Sequence, residues 1–142
     1  HWLVDDKVVD IRGVGVPILT EAIDFANARL EFAGGCIANL TASRVSVNRS
    51  RKVRVFQPAS YLSVDYAAQT VEEYRLSWAG GKPSGIETDS IDASGDDPLI
   101  RQLMDFVNSC TSRTSPRADG KSARQALATA LDILNAIEAR VK

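Results

Sequence analysis

Residues 24–46 read DFANARLEFAGGCIANLTASRVS, and the way this stretch pairs with itself decides the fold. Gly34 and Gly35 mark a tight turn. Apolar and polar residues alternate on either side of it, the period of a strand with one buried face. Take Ala33-Gly34-Gly35 as the loop, a type I turn followed by glycine in the left-handed position. Phe32 then opposes Cys36, Leu30 opposes Ala38, Ala28 opposes Leu40 and Ala26 opposes Ala42. Every residue on that face is apolar. The other face carries Asn27, Arg29 and Glu31 against Ile37, Asn39, Thr41 and Ser43. A loop one residue shorter slips the register, mixes the faces and sets Leu30 beside Asn39. The longer loop is therefore predicted. Burial of Leu30 and Phe32 contributes about 1.5–3 kcal/mol each, and the alanines around them let a helix come close. Cys36 falls on the same apolar face and is expected as a buried thiol.

Outward from the hairpin, Val8–Val16 is rich in β-branched residues and ends at Pro17, which reads as a strand. Thr20–Ile23 is a short connection. Arg51–Gln57 is the next strand, and Gln57-Pro58-Ala59-Ser60 turns the chain. Tyr61–Tyr66 returns, Ala67–Gln69 turns again, and Thr70–Ser77 follows. Trp78–Asp97, rich in Gly, Ser and Asp, reads as a mobile loop with at most a short edge strand at Gly85–Ile91. Asp97-Pro98 has the form of a helix start, with Asp capping and Pro in the first turn. Leu99, Leu103, Phe106, Val107 and Cys110 recur at helical spacing after it. Thr111–Asp119 is a polar connector, and Lys121–Val141 is a last helix with Ala126, Leu127, Ala130, Leu131, Leu134, Ile137 and Val141 on one side. Both stripes are expected to be core. The predicted fold is α+β: a predominantly antiparallel open β-sheet of about six strands, with the C-terminal helices packed on one face and residues 1–142 in one domain.

Charge and motifs narrow the chemistry. A chain of 142 residues with net charge −1 lacks the basic excess of a nucleic-acid-binding domain. The basic run RSRKVR, residues 49–54, reads as a solvated strand edge. No apolar run approaches the roughly 20 residues that span a bilayer. The two cysteines show neither metal spacing nor CxxC and suit a reducing, cytoplasmic setting. His1 is the sole histidine, which rules out a three-histidine metal site. Gly13-Val14-Gly15-Val16-Pro17 echoes a dinucleotide loop but lacks the third glycine, and Pro17 opens no helix. No phosphate-binding P-loop, nucleophile elbow or HExxH string is present. No catalytic, cofactor-binding or metal-binding residue is assigned. The chain opens at His1 without an initiator Met, and Trp2-Leu3-Val4 reads as the end of an element begun upstream, so the chain is expected to be the back half of something larger.

Four strings, in order, resemble the C-terminal domain of the glucose–fructose oxidoreductase/inositol dehydrogenase/rhizopine catabolism (Gfo/Idh/MocA) family. They are residues 26–46, RKVRVFQPASYLSVDY (51–66), DPLIRQLMDFVNSC (97–110) and PRADGKSARQALATALDILNAI (116–137). The resemblance covers nearly the whole chain. It implies an NAD(P)-dependent oxidoreductase whose NAD or NADP sits on a separate N-terminal Rossmann domain, beside a Glu-Lys-Pro motif with the catalytic Lys. Neither is in this chain, so no cofactor is expected on it and it is predicted inactive alone. His1 falls just after the family's acid/base segment, in a non-catalytic slot. The implied substrates are sugars, polyols or nucleotide sugars, and the Asn-Leu-Thr-Ala-Ser-Arg string looks closest to bacterial members acting on UDP-N-acetylglucosamine-like compounds.

If substrate touches this half, the polar sheet face is where its hydroxyls find partners. Asn39, Thr41 and Ser43, at two-residue spacing, point one way, and Arg44 at the strand end suits a phosphate. The same face otherwise meets solvent or another subunit. The expected partners are a small-molecule sugar or nucleotide sugar and a second copy, as a homo-dimer or homo-tetramer through the sheet, with no nucleic acid and no membrane. The alternative is a non-catalytic module that dimerises through its sheet.

Overall fold

A computed structural model describes residues 3–95 and 97–141. His1 and Trp2, read above as the end of an upstream element, lie outside the described residues. Seven strands precede two helices: β1 (Val8–Val16), β2 (Phe25–Phe32), β3 (Ile37–Ser43), β4 (Lys52–Phe56), β5 (Ser60–Asp65), β6 (Thr70–Ala79), β7 (Lys82–Asp92), α1 (Pro98–Ser112) and α2 (Gly120–Val141). All pairings are antiparallel and both sheets are open, so the α+β class holds. The strands form two sheets, β1-β2-β3 and β4-β5-β6-β7, rather than one meander of about six. The chain groups into two compact units. One joins the stretch up to Val47 to the stretch from Asp105 onward, and the other is Asn48–Met104.

In the first unit the β2–β3 register is the expected one: Leu30 faces Ala38, Ala28 faces Leu40 and Ala26 faces Ala42. The Phe32 N–H donates to the Cys36 carbonyl at 2.9 Å and the Gly35 N–H to the Phe32 carbonyl at 2.8 Å. Gly35 has φ 85°, the left-handed conformation such a loop needs. Among the described residues, the buried apolar side chains are Ala28, Leu30, Phe32 and Ile137. Helix α2 packs on β1.

Glycine sets how close that helix lies. A Cβ added at Gly13 would stand 2.7 Å from Ile137 Cγ1, and one at Gly15 would stand 2.7 Å from Ile23 Cγ2 and 2.9 Å from Ile137 Cγ2. The Gly-Val-Gly-Val string is thus a docking groove for an isoleucine. With that groove filled, the pair offers no backbone cradle to a dinucleotide phosphate.

The groove also corrects the expected helix face. Helix α2 turns Thr129, Ile133 and Ala136 inward with Ile137. Leu127, Leu131 and Leu134 remain 61%, 51% and 38% exposed, and Ala126 and Ala130 are exposed too. The Val141 side chain lies outside the described residues. Ile137 is buried as its place on the stripe implies, seated against Gly13 and Gly15, and the half-buried Ile133 rather than the leucines lies beside it. Cys36 is exposed rather than buried, because it sits in the turn just before β3 begins at Ile37.

In the second unit, Gln57 N–H bonds the Ser60 carbonyl at 2.8 Å and closes the β4–β5 turn. Phe56, Tyr61 and Tyr74 align across β4, β5 and β6 and stack, with ring centroids 4.6 and 5.2 Å apart. Lys52 reaches Asp65 across the same strands at 2.9 Å. Within the segment expected as a mobile loop, the edge strand considered at Gly85–Ile91 is present and longer, as β7, paired with β6 from Thr70↔Asp92 to Ala79↔Lys82. Gly80 and Gly81, with φ 59° and 73°, make a two-residue turn of the I′ type.

Helix α1 starts as read. Asp97 Oδ1 accepts the Leu99 N–H at 2.7 Å, and the Asp97 carbonyl accepts the Arg101 N–H at 3.0 Å. Its stripe is not core, however. Leu99, Leu103, Phe106 and Val107 are each more than half exposed, Cys110 is exposed, and Ser109 is the buried residue of the helix. Helical periodicity shows that a face is apolar, not that this chain covers it.

Candidate functional site

Strand parity builds a polar face on the first sheet, opposite α2. Across β1, β2 and β3 it runs in rows: Asp10–Glu31–Ile37, then Arg12–Arg29–Asn39, then Val14–Asn27–Thr41, then Val16–Phe25–Ser43. The structure therefore sets Asn39, Thr41 and Ser43 on one side, as their spacing implies. It keeps Asn27 and Arg29 on that side, as the hairpin register implies, and adds Arg12 from β1. Arg29 Nη1 donates to Asn39 Oδ1 at 3.2 Å, and Thr41 Oγ1 donates to Asn27 Oδ1 at 2.7 Å. A shallow depression of about 310 Å³ is lined by the row Gly13, Ala28 and Leu40, by their strand neighbours from Arg12 and Val14 to Asn39 and Thr41, and by Arg140 of α2, so it opens toward the helix side of the sheet.

Ser43 and Arg44 belong to a second depression of about 280 Å³, with Ile23, Asp24 and Ala42. The four candidates thus divide into two pairs. Ser43 Oγ accepts the Val45 and Ser46 N–H groups at 3.3 and 3.1 Å and the Ser46 hydroxyl at 2.7 Å, which curls the chain just after β3. The Arg44 N–H donates to the Asp24 carbonyl at 3.0 Å, and Arg44 Nη1 stands 3.8 Å from Asp24 Oδ1. The Arg44 side chain stays 68% exposed, with donors left over for a ligand.

Asp24 organises this end of the sheet. Its side chain is fully buried. Oδ2 accepts the backbone N–H groups of Ile18, Leu19 and Thr20 at 3.0, 2.7 and 2.8 Å, and Oδ1 accepts the Thr20 hydroxyl at 3.1 Å. The N–H groups of Ile18 and Thr20 above all pull its pKa from 3.8 down to about 2, against the opposing effect of burial. A pKa lower in the folded than in the unfolded chain gives stability that is complete above the unfolded value. That stability is lost as pH falls from about 4 to about 2. Asp24→Asn turns an amide donor toward donors and is expected to be less stable than the parent at neutral pH. Thermal melts of both proteins from pH 7 to pH 2 should converge at the acid end, and a constant gap would exclude this role for the carboxylate. A lone Asp before a strand gives no sequence signal for such a role, since the loop that donates to it has no fixed spacing.

Among the described residues no group of three or more His, Cys, Asp or Glu is placed to hold a metal, and no helix is long and apolar enough to cross a membrane.

No family model matches the chain. A UDP-N-acetylglucosamine 3-dehydrogenase from Acidithiobacillus ferrooxidans is 35% identical over 139 residues, which are 96% of this chain and 44% of that protein. A solved structure of the dehydrogenase of that name from the same organism superposes with a TM-score of 0.85 at 32% identity, over 96% of this chain and 43% of the other. An aldose–aldose oxidoreductase from Caulobacter crescentus has the same fold, with a TM-score of 0.72 at 20% identity over 94% of this chain and 40% of its own. The chain spans less than half the length of these proteins. Over nearly its whole length the chain is similar in sequence and fold to the C-terminal part of that dehydrogenase.

Proposed function

We propose that this chain is the substrate-side and subunit-contact part of a cytoplasmic NAD(P)-dependent dehydrogenase acting on a nucleotide sugar of the UDP-N-acetylglucosamine class. The likeness to a dehydrogenase of that substrate, in sequence and fold over 96% of the chain, carries the reading. The nicotinamide cofactor and the hydride chemistry belong to a part of the enzyme not represented here, and this chain alone binds no nicotinamide.

The arrangement supports a division of labour at the Ser43 end of the first sheet. Arg44, anchored by Asp24 and set on the curl that Ser43 makes, holds a phosphate oxygen of the nucleotide. Thr41, one position before Ala42 on the same strand, offers a hydroxyl to the sugar. Asn39 orients Arg29. The test is an NMR titration of the chain with UDP-N-acetylglucosamine and, separately, with NADH. The nucleotide sugar should shift the amides of Thr41, Ser43 and Arg44, and Arg44→Ala should weaken the response at least about tenfold, the loss of one charge-assisted contact. Shifts confined to other residues, or an equal response to NADH, would overturn the assignment.

A further inference from the structure

The second sheet carries a pile of aromatic rings with one open end. Strand β4 lies at the edge of its sheet. Strand parity puts Lys52, Arg54 and Phe56 on one face, while Val53 and Val55 turn to the other and are half-buried. Phe56 lies nearly flat on Tyr61, with 14° between the rings, and Tyr61 lies on Tyr74 at 20°. Past Tyr74 the row ends on Thr88 of β7. On the Phe56 side no further strand follows among the described residues. Phe56 is 76% exposed although Tyr61 covers one face of its ring. Its free side is a flat π surface in water, ready to continue the stack.

Arg54 stands one pleat along the same face, about 7 Å from Phe56 along the strand. It closes the basic run at residues 49–54. The charges around it are engaged with one another. Lys52 reaches Asp65 at 2.9 Å, and Glu72 raises the pKa of Tyr74 by its charge and by a hydrogen bond. Opposite Arg54 on β5 is the neutral Ser63, and Arg54 makes no ion pair among the described residues. A solvated strand edge accounts for the basic run, but not for a bare aromatic ring beside its last residue.

We propose that the open face of Phe56 and the guanidinium of Arg54 together bind a nucleoside phosphate. The base continues the pile on Phe56, and the phosphate accepts from the guanidinium, whose planar fork suits it. The two requirements select the class. Inorganic phosphate would leave the ring bare, and a neutral sugar would leave Arg54 idle. In a nucleotide one ribose spans the step from base to phosphate. Stacking reads no base identity, because every base has a π face. Purines and pyrimidines therefore both fit, and purines, with the larger face, bind more tightly. The site lies in the unit Asn48–Met104 and Arg44 in the other, so this inference goes beyond the proposed function and stands or falls apart from it.

The test titrates the chain with adenosine 5′-monophosphate, adenosine and ribose 5-phosphate in turn, followed by NMR, with circular dichroism to confirm that each variant folds. Adenosine 5′-monophosphate should bind with a Kd of about 1 mM or tighter. Its adenine protons should move upfield in the ring current of Phe56, and the amides of Arg54 and Phe56 should shift. Adenosine should bind more weakly, and ribose 5-phosphate more weakly still. Phe56→Leu keeps an apolar side chain but removes the π face, and should weaken the nucleotide at least about tenfold. Phe56→Trp should restore binding. Arg54→Ala should bring the nucleotide down to the affinity of adenosine and leave adenosine itself unchanged. A chain that does not bind the nucleotide overturns the proposal. So does a Phe56→Leu variant that binds as the parent does, or ribose 5-phosphate that binds as well as the nucleotide, since either would reduce the site to a basic patch.

Discussion

Phe32→Ala is expected to cost about 3–5 kcal/mol, a large share of the stability of the unit built on β1, β2, β3 and α2. The size follows from how few side chains that unit hides. Among the described residues its buried apolar set is Ala28, Leu30, Phe32 and Ile137, and Phe32 is the one aromatic in it, 4% exposed. Its neighbours on the face, Val8 opposite it on β1 and Leu30 two positions back on β2, are held in place by strand pairing and cannot swing into a hole of that size. The vacated volume therefore stays empty or wet, and the cavity adds to the lost transfer free energy. A urea titration followed by far-UV circular dichroism should show the midpoint falling sharply. Phe56→Ala is the internal comparison. Phe56 is 76% exposed, and its removal loses one ring contact with Tyr61, about 0.5–1.5 kcal/mol. If the two substitutions cost the same, the core is not where β2 places it.

The contrast between the hairpin and β7 shows what this sequence makes legible. In residues 26–42 the faces differ so sharply that only one register keeps Leu30 and Phe32 away from Asn39, and the observed pairing is that one. Strand β7, KPSGIETDSID, is exposed at every position, so no apolar period was selected in it. Its strand state comes from pairing with β6 and from the Gly80-Gly81 turn, a signal two residues long. Exposed strands are held by backbone bonds that any residue but proline can make, and residue identity records them poorly.

The helices show a different limit. Their positions and the Asp97 cap were readable, but the direction each stripe faces was not. For α2 that direction depends on a groove in β1 whose glycines carry no side chain to announce it. The candidate site divides the same way. Asn39, Thr41 and Ser43 follow from strand parity, whereas Arg12 joins them only through the β1–β2 register. Asp24 meets Arg44 by the same β2–β3 register carried one step past Phe25↔Ser43, but the loop Ile18–Thr20 that donates to its carboxylate leaves no mark in the spacing.

Gly13→Ala is the second large effect, and it isolates that groove. The glycine needs no unusual backbone, so alanine is not opposed by φ, and alanine by itself narrows the unfolded ensemble and favours folding slightly. Sterics decide against it. The new Cβ would lie 2.7 Å from Ile137 Cγ1, with the Ile133 carbonyl oxygen 3.5 Å away. Cγ1 is a branch atom near the Ile137 backbone rather than a free chain end. Relief therefore requires α2 to move as a body or Ile137, 2% exposed, to leave its rotamer. Overpacking of this kind costs about 1–3 kcal/mol. Ile137→Ala alone should cost about 2–5 kcal/mol by the cavity it leaves. The double variant should be more stable than the sum of the two losses implies, because the alanine methyl then occupies space that Ile137 has vacated. A coupling of at least about 0.5 kcal/mol in the double-mutant cycle is expected for residues in such contact. Strict additivity in urea melts would show that α2 does not rest on β1 through this pair. The glycines of the Gly-Val-Gly-Val string would then need another reason to be there.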